Sequence, residues 1–407
     1  MSSPPPNLPS GVSAILAAMG LDPNALGGDD LPSLAELLGA LSLSARSPSP
    51  PLLTDEERTS VFGGQPPSLD AFVGKILSGE LRNVIVLAGA GLSVAAGVPD
   101  FRSDAGLYAA LAQYDLPFPE AVFELDFFRS NPRPFYALAS AMFSETDTVS
   151  PTLAHWFLRL LHDRGLLLRV YTQNIDGLEA DTGLPDEVVI PVHGSFVDAH
   201  CIDCGASYEI DVVKTAIRSA DIPRCAIADC AGLIKPAIVF FGESLPETFF
   251  EHSREDVAIA DAIIVMGTSL TVQPVASLPS RVSPTIPRLL INRERVGDFT
   301  PADDPNNYRD VLALGNLDDQ VVRLCHALGP DWSADLASLA GSGSVLDKAA
   351  ADEKARAAAD AIARAVAATT AAPVDVVSDA APAATSNASG SASVSQTTSP
   401  APHPSSA

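Results

Sequence analysis

Basic residues are scarce in this 407-residue chain. Lys plus Arg number 25 against 50 Asp plus Glu, a net charge of −25. A surface that displaces counterions from phosphates needs the opposite balance, so no direct nucleic-acid binding is expected. The acidity suits basic partners such as lysine-rich protein segments, and serves solubility equally well. Long apolar runs are also missing: no stretch of about 18 apolar residues exists, and no membrane span is expected. The N-terminal MSSPPPNLPSGVSAILAAMG has neither a basic n-region nor a long apolar core, and the first basic residue is Arg46. Neither a secretory signal nor an arginine-rich transit peptide is expected from that. Cysteine is sparse, with five residues, yet four of them fall within 30 positions. Without marks of secretion, clustered thiols read as metal ligands rather than disulfides, and a cytoplasmic or nuclear location is expected.

Core-forming pattern is lacking at both ends. Residues 1–60 read as a disordered extension, with PPP at 4–6 and SPSPPLL at 47–53. Leu34, Leu37, Leu41 and Leu43 have the spacing of a leucine-rich export signal, but an ordinary amphipathic helix accounts for them. Residues 331–407 read as an alanine-rich helix around 346–368, with Asp352/Arg356 and Asp360/Arg364 at i,i+4, and a disordered tail. That helix is either a solvated spacer or a segment that folds back on a cleft. Between the ends, 61–330 alternates short apolar runs with helical stretches such as 151–165, which Gly165 closes. Strands are expected at 83–89, 166–174, 187–194, 237–243, 261–269 and 288–294. Runs apolar on consecutive positions suit parallel strands buried on both faces, and the alternation implies an α/β fold with a doubly wound sheet.

Several strand ends carry polar or glycine motifs, where an open α/β sheet places its ligands. Gly89, Ala90 and Gly91 follow the first strand; small residues let backbone amides approach a pyrophosphate, and a helix start would add positive potential. The third glycine, Gly97, comes six positions after Gly91, so the usual dinucleotide fingerprint is not met. Gln173, Asn174, Ile175 and Asp176 end the second strand. His193 ends the third, and its ordinary pKa of about 6.5 suits a general base. Cys201-x2-Cys204 and Cys225-x4-Cys230 are separated by 20 residues and, brought together, can provide four thiolates for zinc, free buried thiols being the alternative. Only Lys214, Arg218 and Arg224 are basic within 201–230, which argues against a nucleic-acid-binding ribbon.

The run GAGLSVAAGVPDFRSDAGLY at 89–108 resembles the sirtuin signature GAGxSxxxGxPDFR. TQNID, VHG, the cysteine pairs, VFFGE and MGTSL follow in that family's order, so the resemblance spans about 65–330. It implies a Rossmann-like domain with a smaller zinc-binding and helical module, near 195–235, and an NAD-dependent protein lysine deacetylase that consumes NAD. Gly89, Ala90, Gly91, Ser93 and Gly97 would then serve the NAD phosphates. Pro99, Asp100, Phe101, Arg102 and Tyr108 would belong to a loop over the nicotinamide end, and Gln173, Asn174, Ile175 and Asp176 would line the nicotinamide and ribose pocket. His193 would be the base acting on a ribose hydroxyl, with Asn174 and Asp176 beside it. Gly267, Thr268, Ser269, Asn292, Arg293, Glu294, Gly315, Asn316 and Leu317 would hold the adenosine end. Val239, Phe240, Phe241, Gly242 and Glu243 would border the acyl-lysine tunnel, and the zinc would be structural. Acetyl-lysine proteins, histones or other lysine-rich chains among them, would be the substrates. Between Arg102 and Arg129 there is no Lys or Arg to receive an acidic acyl group, so neutral acyl groups are expected. A mono-ADP-ribosyltransferase and a non-catalytic scaffold remain the alternatives.

Overall fold

Burial on both faces is what the central strands share. In the computed structural model β1 (Val84–Ala88) is buried at all five positions, and β2 (Leu167–Thr172) and the short β3 (Val189–Pro191) extend the sheet from it. The chain then leaves for β4 (Gly194–Cys201), β5 (Ser207–Glu209) and β6 (Ile234–Ile238), and returns as β7 (Ala262–Met266), β8 (Arg288–Asn292) and β9 (Asp310–Leu314). The structure describes residues 53–100, 111, 116–146, 149–219, 221–341, 357, 360, 361, 363 and 364. The strand order is β3-β2-β1-β7-β8-β9, with all neighbours parallel. The winding reverses between β1 and β7, which defines the doubly wound architecture and its switch point.

Side-chain alternation divides the core into two layers. Val84, Val86 and Ala88 face helices Leu69–Leu77, Leu153–Asp163 and Leu317–Leu328, whereas Ile85 and Leu87 face Phe249, Val275 and Leu278. Helix Leu153–Asp163 starts on Thr152, whose hydroxyl accepts from His155 N–H, and Gly165 follows its end at φ +66°. The helical stretch expected at 151–165 is therefore present.

Three expectations are corrected. The strand expected at 237–243 is not in the parallel sheet. β6 ends at Ile238 and belongs to an antiparallel sheet ordered β5-β4-β6, the floor of the smaller module. The packed unit also runs past 330. Helix Pro330–Ala340 buries Trp332 and Leu336 in the main core, and Arg164 lies over the Trp332 ring at 4.9 Å. At the other end, helix Asp55–Ser60 is closed by a Thr54/Glu57 capping box, and Val61 is buried, so order begins before 61. The leucine spacing at 34–43 lies outside the described residues. Of the alanine-rich stretch, Ala363 is buried in the smaller module's core, and none of its described residues lines the cleft.

Gly194 fixes how the modules join. Its φ is +73°, and a Cβ there would lie 1.9 Å from the Ala237 carbonyl oxygen, where β4 crosses β6. No flexible side chain can move aside. Gly194→Ala is expected to destabilise the protein by about 3 kcal/mol or more. An unchanged urea midpoint would show that the crossing is looser than this.

Candidate active-site cleft

The carboxyl edge of the large sheet opens into one cleft of about 1120 Å³. Consecutive strand ends supply its rim: Gly89, Ala90 and Gly91 after β1, Gln173, Asn174 and Ile175 after β2, and His193 after β3. Gly267, Thr268 and Ser269 follow β7, Asn292, Arg293 and Glu294 follow β8, and Gly315, Asn316 and Leu317 follow β9. The opposite wall is the segment 239–243, leaving β6. Asp100 also lines the cleft. Ser93, Gly97, Pro99 and Asp176 do not: Gly97 closes a short turn at φ +91°, and Ser93 and Asp176 stand behind Asn174. Phe101, Arg102 and Tyr108 lie outside the described residues.

The glycines of the first loop meet the protein's own backbone. A Cβ on Gly91 would lie 2.6 Å from Gly267 Cα, and one on Gly89 would lie 2.6 Å from Thr268 Cβ. Gly91 N–H donates to Gly267 O at 2.8 Å, so the β1 and β7 loops interlock. The helix start expected after Gly91 is instead two 3-10 turns, Ala90–Leu92 and Val94–Ala96. The helix that does aim its N-terminus at the cleft is Leu317–Leu328, capped by Asn316, whose side chain accepts from Asp319 N–H.

His193 is held by main-chain groups on both sides. Its Nδ1 is 3.0 Å from Gln173 O, and its own carbonyl accepts from Val239 N–H at 2.7 Å. A carbonyl can only accept, so the proton sits on Nδ1 and the lone pair on Nε2, the form a general base needs. Gln173 in turn donates from Nε2 to Thr268 Oγ1 at 2.9 Å. This bond ties the β2 end to the β7 loop.

All five residues expected along the tunnel line the cleft, but two of them direct their side chains mainly into the wall. Phe240 is 1% exposed, its ring packed edge-to-face on Phe123, Phe128 and Phe135, with Lys235 Nζ 4.6 Å from its centroid. Glu243 turns its carboxylate to Lys235 at 3.0 Å and to Phe240 N–H at 2.7 Å. Burial opposes ionisation of Glu243, but His200, Lys235 and the Phe240 amide outweigh it and hold the carboxyl near 2. His200 thus faces Glu243 rather than the thiols. Phe241, 40% exposed, stands at the mouth with Gly242. Phe123, Phe250, Val272 and Val296 add to the apolar lining. They sit in no motif, and no spacing in the sequence marks them.

The four cysteines converge away from the cleft. Cys201 and Cys230 Sγ are 3.6 Å apart, as are Cys204 and Cys225 Sγ, and all four lie within 4.8 Å of one another. A zinc tetrahedron with bonds of about 2.3 Å places its sulfurs about 3.8 Å apart, so the donor set fits. Tyr208 was not foreseen. Its hydroxyl accepts from Ala226 N–H at 2.8 Å and lies 3.1 Å from Cys225 Sγ, leaving its proton for the sulfur. Cys325 is buried in the main core, where burial pushes its thiol up to about 12.

Behind Asn174, Glu179 is fully buried. Burial, then the nearby Asp176, raises its carboxyl from 4.5 to about 7. A carboxyl raised on folding binds a proton in the folded chain that the unfolded chain releases. Its contribution is fully present below 4.5 and lost as pH rises through 7. Relative to Glu179→Gln, the wild type is therefore expected to gain about 3 kcal/mol as pH falls from 7 to 4.5. Parallel urea curves with a constant difference between the two proteins would contradict this.

Comparison with known proteins covers the same edge of the sheet. A model of the Sir2 family matches residues 89–274, from the first loop to the wall at Pro274. The chain is 46% identical over 272 residues to the NAD-dependent protein deacetylase hst2 of Schizosaccharomyces pombe, covering 67% of this chain and 79% of that protein. It is 45% identical over 287 residues to NAD-dependent protein deacetylase sirtuin-2 of Danio rerio, covering 66% and 73%. Against sirtuin-3 of Mus musculus it is 43% identical over 333 residues, covering 79% and 96%. Identity of this extent reaches through the sheet, the cysteine module and the cleft alike, and the chain belongs to the Sir2 family.

Proposed function

We propose that this chain is an NAD-dependent protein lysine deacetylase, yielding free lysine, nicotinamide and O-acetyl-ADP-ribose. The observation that carries the reading is His193, a histidine fixed as a base at the sheet edge and hydrogen-bonded through its carbonyl to the wall at Val239. The names of the similar proteins, NAD-dependent protein deacetylases, point the same way. The cleft suits the dinucleotide by size and by its donors and acceptors, with Gln173, Asn174, Thr268, Ser269, Asn292 and Glu294 along one edge. NAD, when bound, would supply the ribose carbon that the acyl oxygen attacks as nicotinamide leaves. His193 Nε2 would take a proton from a ribose hydroxyl, while Asn174, backed by Ser93 and Asp176, would hold the ribose end. Val239, Phe241 and Gly242 guide the acyl-lysine, and Phe240 and Glu243 keep that wall in place. Asp100, with Pro99, Phe101, Arg102 and Tyr108, would close over the nicotinamide.

Substrates are acetyl-lysine proteins, and the charge of −25 favours lysine-rich ones such as histones. Four thiols set for zinc fit a reducing compartment, cytoplasm or nucleus. Among the described residues no helix is long and apolar enough to cross a membrane. The test is nicotinamide release together with mass spectrometry of acetyl-lysine and succinyl-lysine peptides. Deacetylation with little desuccinylation is expected. Nicotinamide release with label on protein and the peptide unchanged would replace this reading by a mono-ADP-ribosyltransferase.

A further inference from the structure

Two carboxyl groups, the buried Glu179 and the half-buried Asp176, reach Asn174 by separate hydroxyl bridges. On one path, Asn174 N–H donates to Thr172 Oγ1 at 3.1 Å, and Thr172 Oγ1 donates to Glu179 Oε1 at 2.6 Å. On the other, Asn174 Nδ2 donates to Ser93 Oγ at 3.3 Å, and Ser93 Oγ donates to Asp176 Oδ2 at 2.6 Å. A hydroxyl has one proton. That of Ser93 is committed to the Asp176 carboxyl, so its oxygen must accept from Asn174. This fixes the amide: Nδ2 faces Ser93, and Oδ1 is the atom left for a ligand.

The two paths meet at a third group. A ring nitrogen of His155 and carboxylate oxygens of Asp176 and Glu179 lie within 4.8 Å of one another. His155 Nδ1 accepts from Thr152 N–H at 3.2 Å, which puts the ring proton on Nε2. Nε2 is buried and makes no hydrogen bond. A protonated nitrogen is a donor and no metal ligand, so this cluster is not a cation site. Burial keeps the imidazole neutral down to about 4 and the Glu179 carboxyl protonated up to about 7. The cluster is therefore a buried neutral donor and a buried carboxylic acid beside the half-buried Asp176 carboxyl. Neither His155 nor Glu179 lines the cleft.

We propose that Glu179, backed by His155, is a positioning residue that holds the Asn174 main chain through Thr172, and so places the amide that Ser93 orients for the ribose of NAD. The readout rests on the deacetylase reading above, but the clamp itself does not. The experiment compares wild type, Glu179→Ala and Glu179→Gln in nicotinamide release, with NAD dissociation constants by calorimetry and zinc content as a folding control. Glu179→Ala is expected to lower kcat at least about tenfold and to weaken NAD. KM for the acetyl peptide should stay unchanged, since the wall at Phe241 is untouched. Glu179→Gln keeps an acceptor for Thr172 and is expected to recover to within about threefold of wild type. Should Glu179→Ala fail to fold, Thr172→Val removes the same bridge at equal volume and is expected to show the same loss.

Wild-type kcat and NAD affinity in Glu179→Ala, or in Thr172→Val where that variant carries the test, would overturn the proposal, as would a Gln variant no better than Ala. If the wild type binds NAD but deacetylates nothing, the functional reading falls instead, and the calorimetric constants still decide the clamp: weaker binding in Glu179→Ala with recovery in Glu179→Gln supports it, and wild-type affinity in Glu179→Ala overturns it.

Discussion

Replacing His193 with alanine is expected to lower deacetylation by about 10³-fold while leaving bound zinc and the fold intact. The size follows from what a positioned base contributes, roughly 10²–10⁴-fold. The fold survives because the remaining bonds that organise this corner do not use the imidazole. Val239 N–H still reaches the carbonyl of residue 193, and Gln173 still reaches Thr268. Asparagine sharpens the test. In His193→Asn the side-chain Nδ2 can keep donating to Gln173 O where Nδ1 does now, but no basic nitrogen remains. Both variants are expected to be equally slow in O-acetyl-ADP-ribose formation and to bind NAD within about threefold of wild type. A His193→Ala enzyme with more than a tenth of wild-type kcat would mean that the proton goes elsewhere.

The parallel strands were legible because burial on both faces leaves an unmistakable run of consecutive apolar residues, as in Val84–Ala88 and Ala262–Met266. Motifs at their ends were legible for the same reason: once the strands are placed, Gln173, His193 and Thr268 must share an edge. The run at 237–243 was misread because it is also apolar on consecutive positions, yet its cause differs. Phe240 fills an aromatic cluster on one side while Phe241 faces the cleft on the other, so two surroundings, not two sheet faces, demand the hydrophobicity. β9 went unmarked because a five-residue strand opening on Asp310 looks polar, and Asp310 is buried only because Arg288 of β8 pairs with it at 2.6 Å. Glu179 was invisible for a similar reason. Its neighbours His155 and Thr172 are distant in sequence or in role, and only folding puts them together. The interlock of Gly89 and Gly91 with Gly267 likewise could not be told from phosphate-binding glycines, since both need small residues at a strand end.

Stripping zinc is expected to abolish activity without any cysteine taking part in the reaction. None of the four lines the cleft, and four thiolates close a tetrahedron with no position left for substrate. The route from metal to activity is mechanical. Cys201 ends β4; Cys225 N–H donates to Gly232 O at 2.8 Å, and Ile202 N–H donates to Leu233 O at 2.9 Å, so the thiol loops pin the start of β6. β6 runs straight into Val239, the residue that anchors His193's carbonyl. Without metal, four clustered thiols lose the bond that holds them, and structural zinc contributes about 10–16 kcal/mol in comparable small modules. The parallel sheet has its own two-layered core and should persist. Chelation, or Cys225→Ala, is therefore expected to cost more than about 10²-fold in kcat while most helical circular dichroism remains. Adding zinc back should restore the chelated wild type but not the variant. A zinc-free enzyme with normal kcat would break the mechanical link; one that loses the parallel sheet as well would show that the two modules fold as a single cooperative unit.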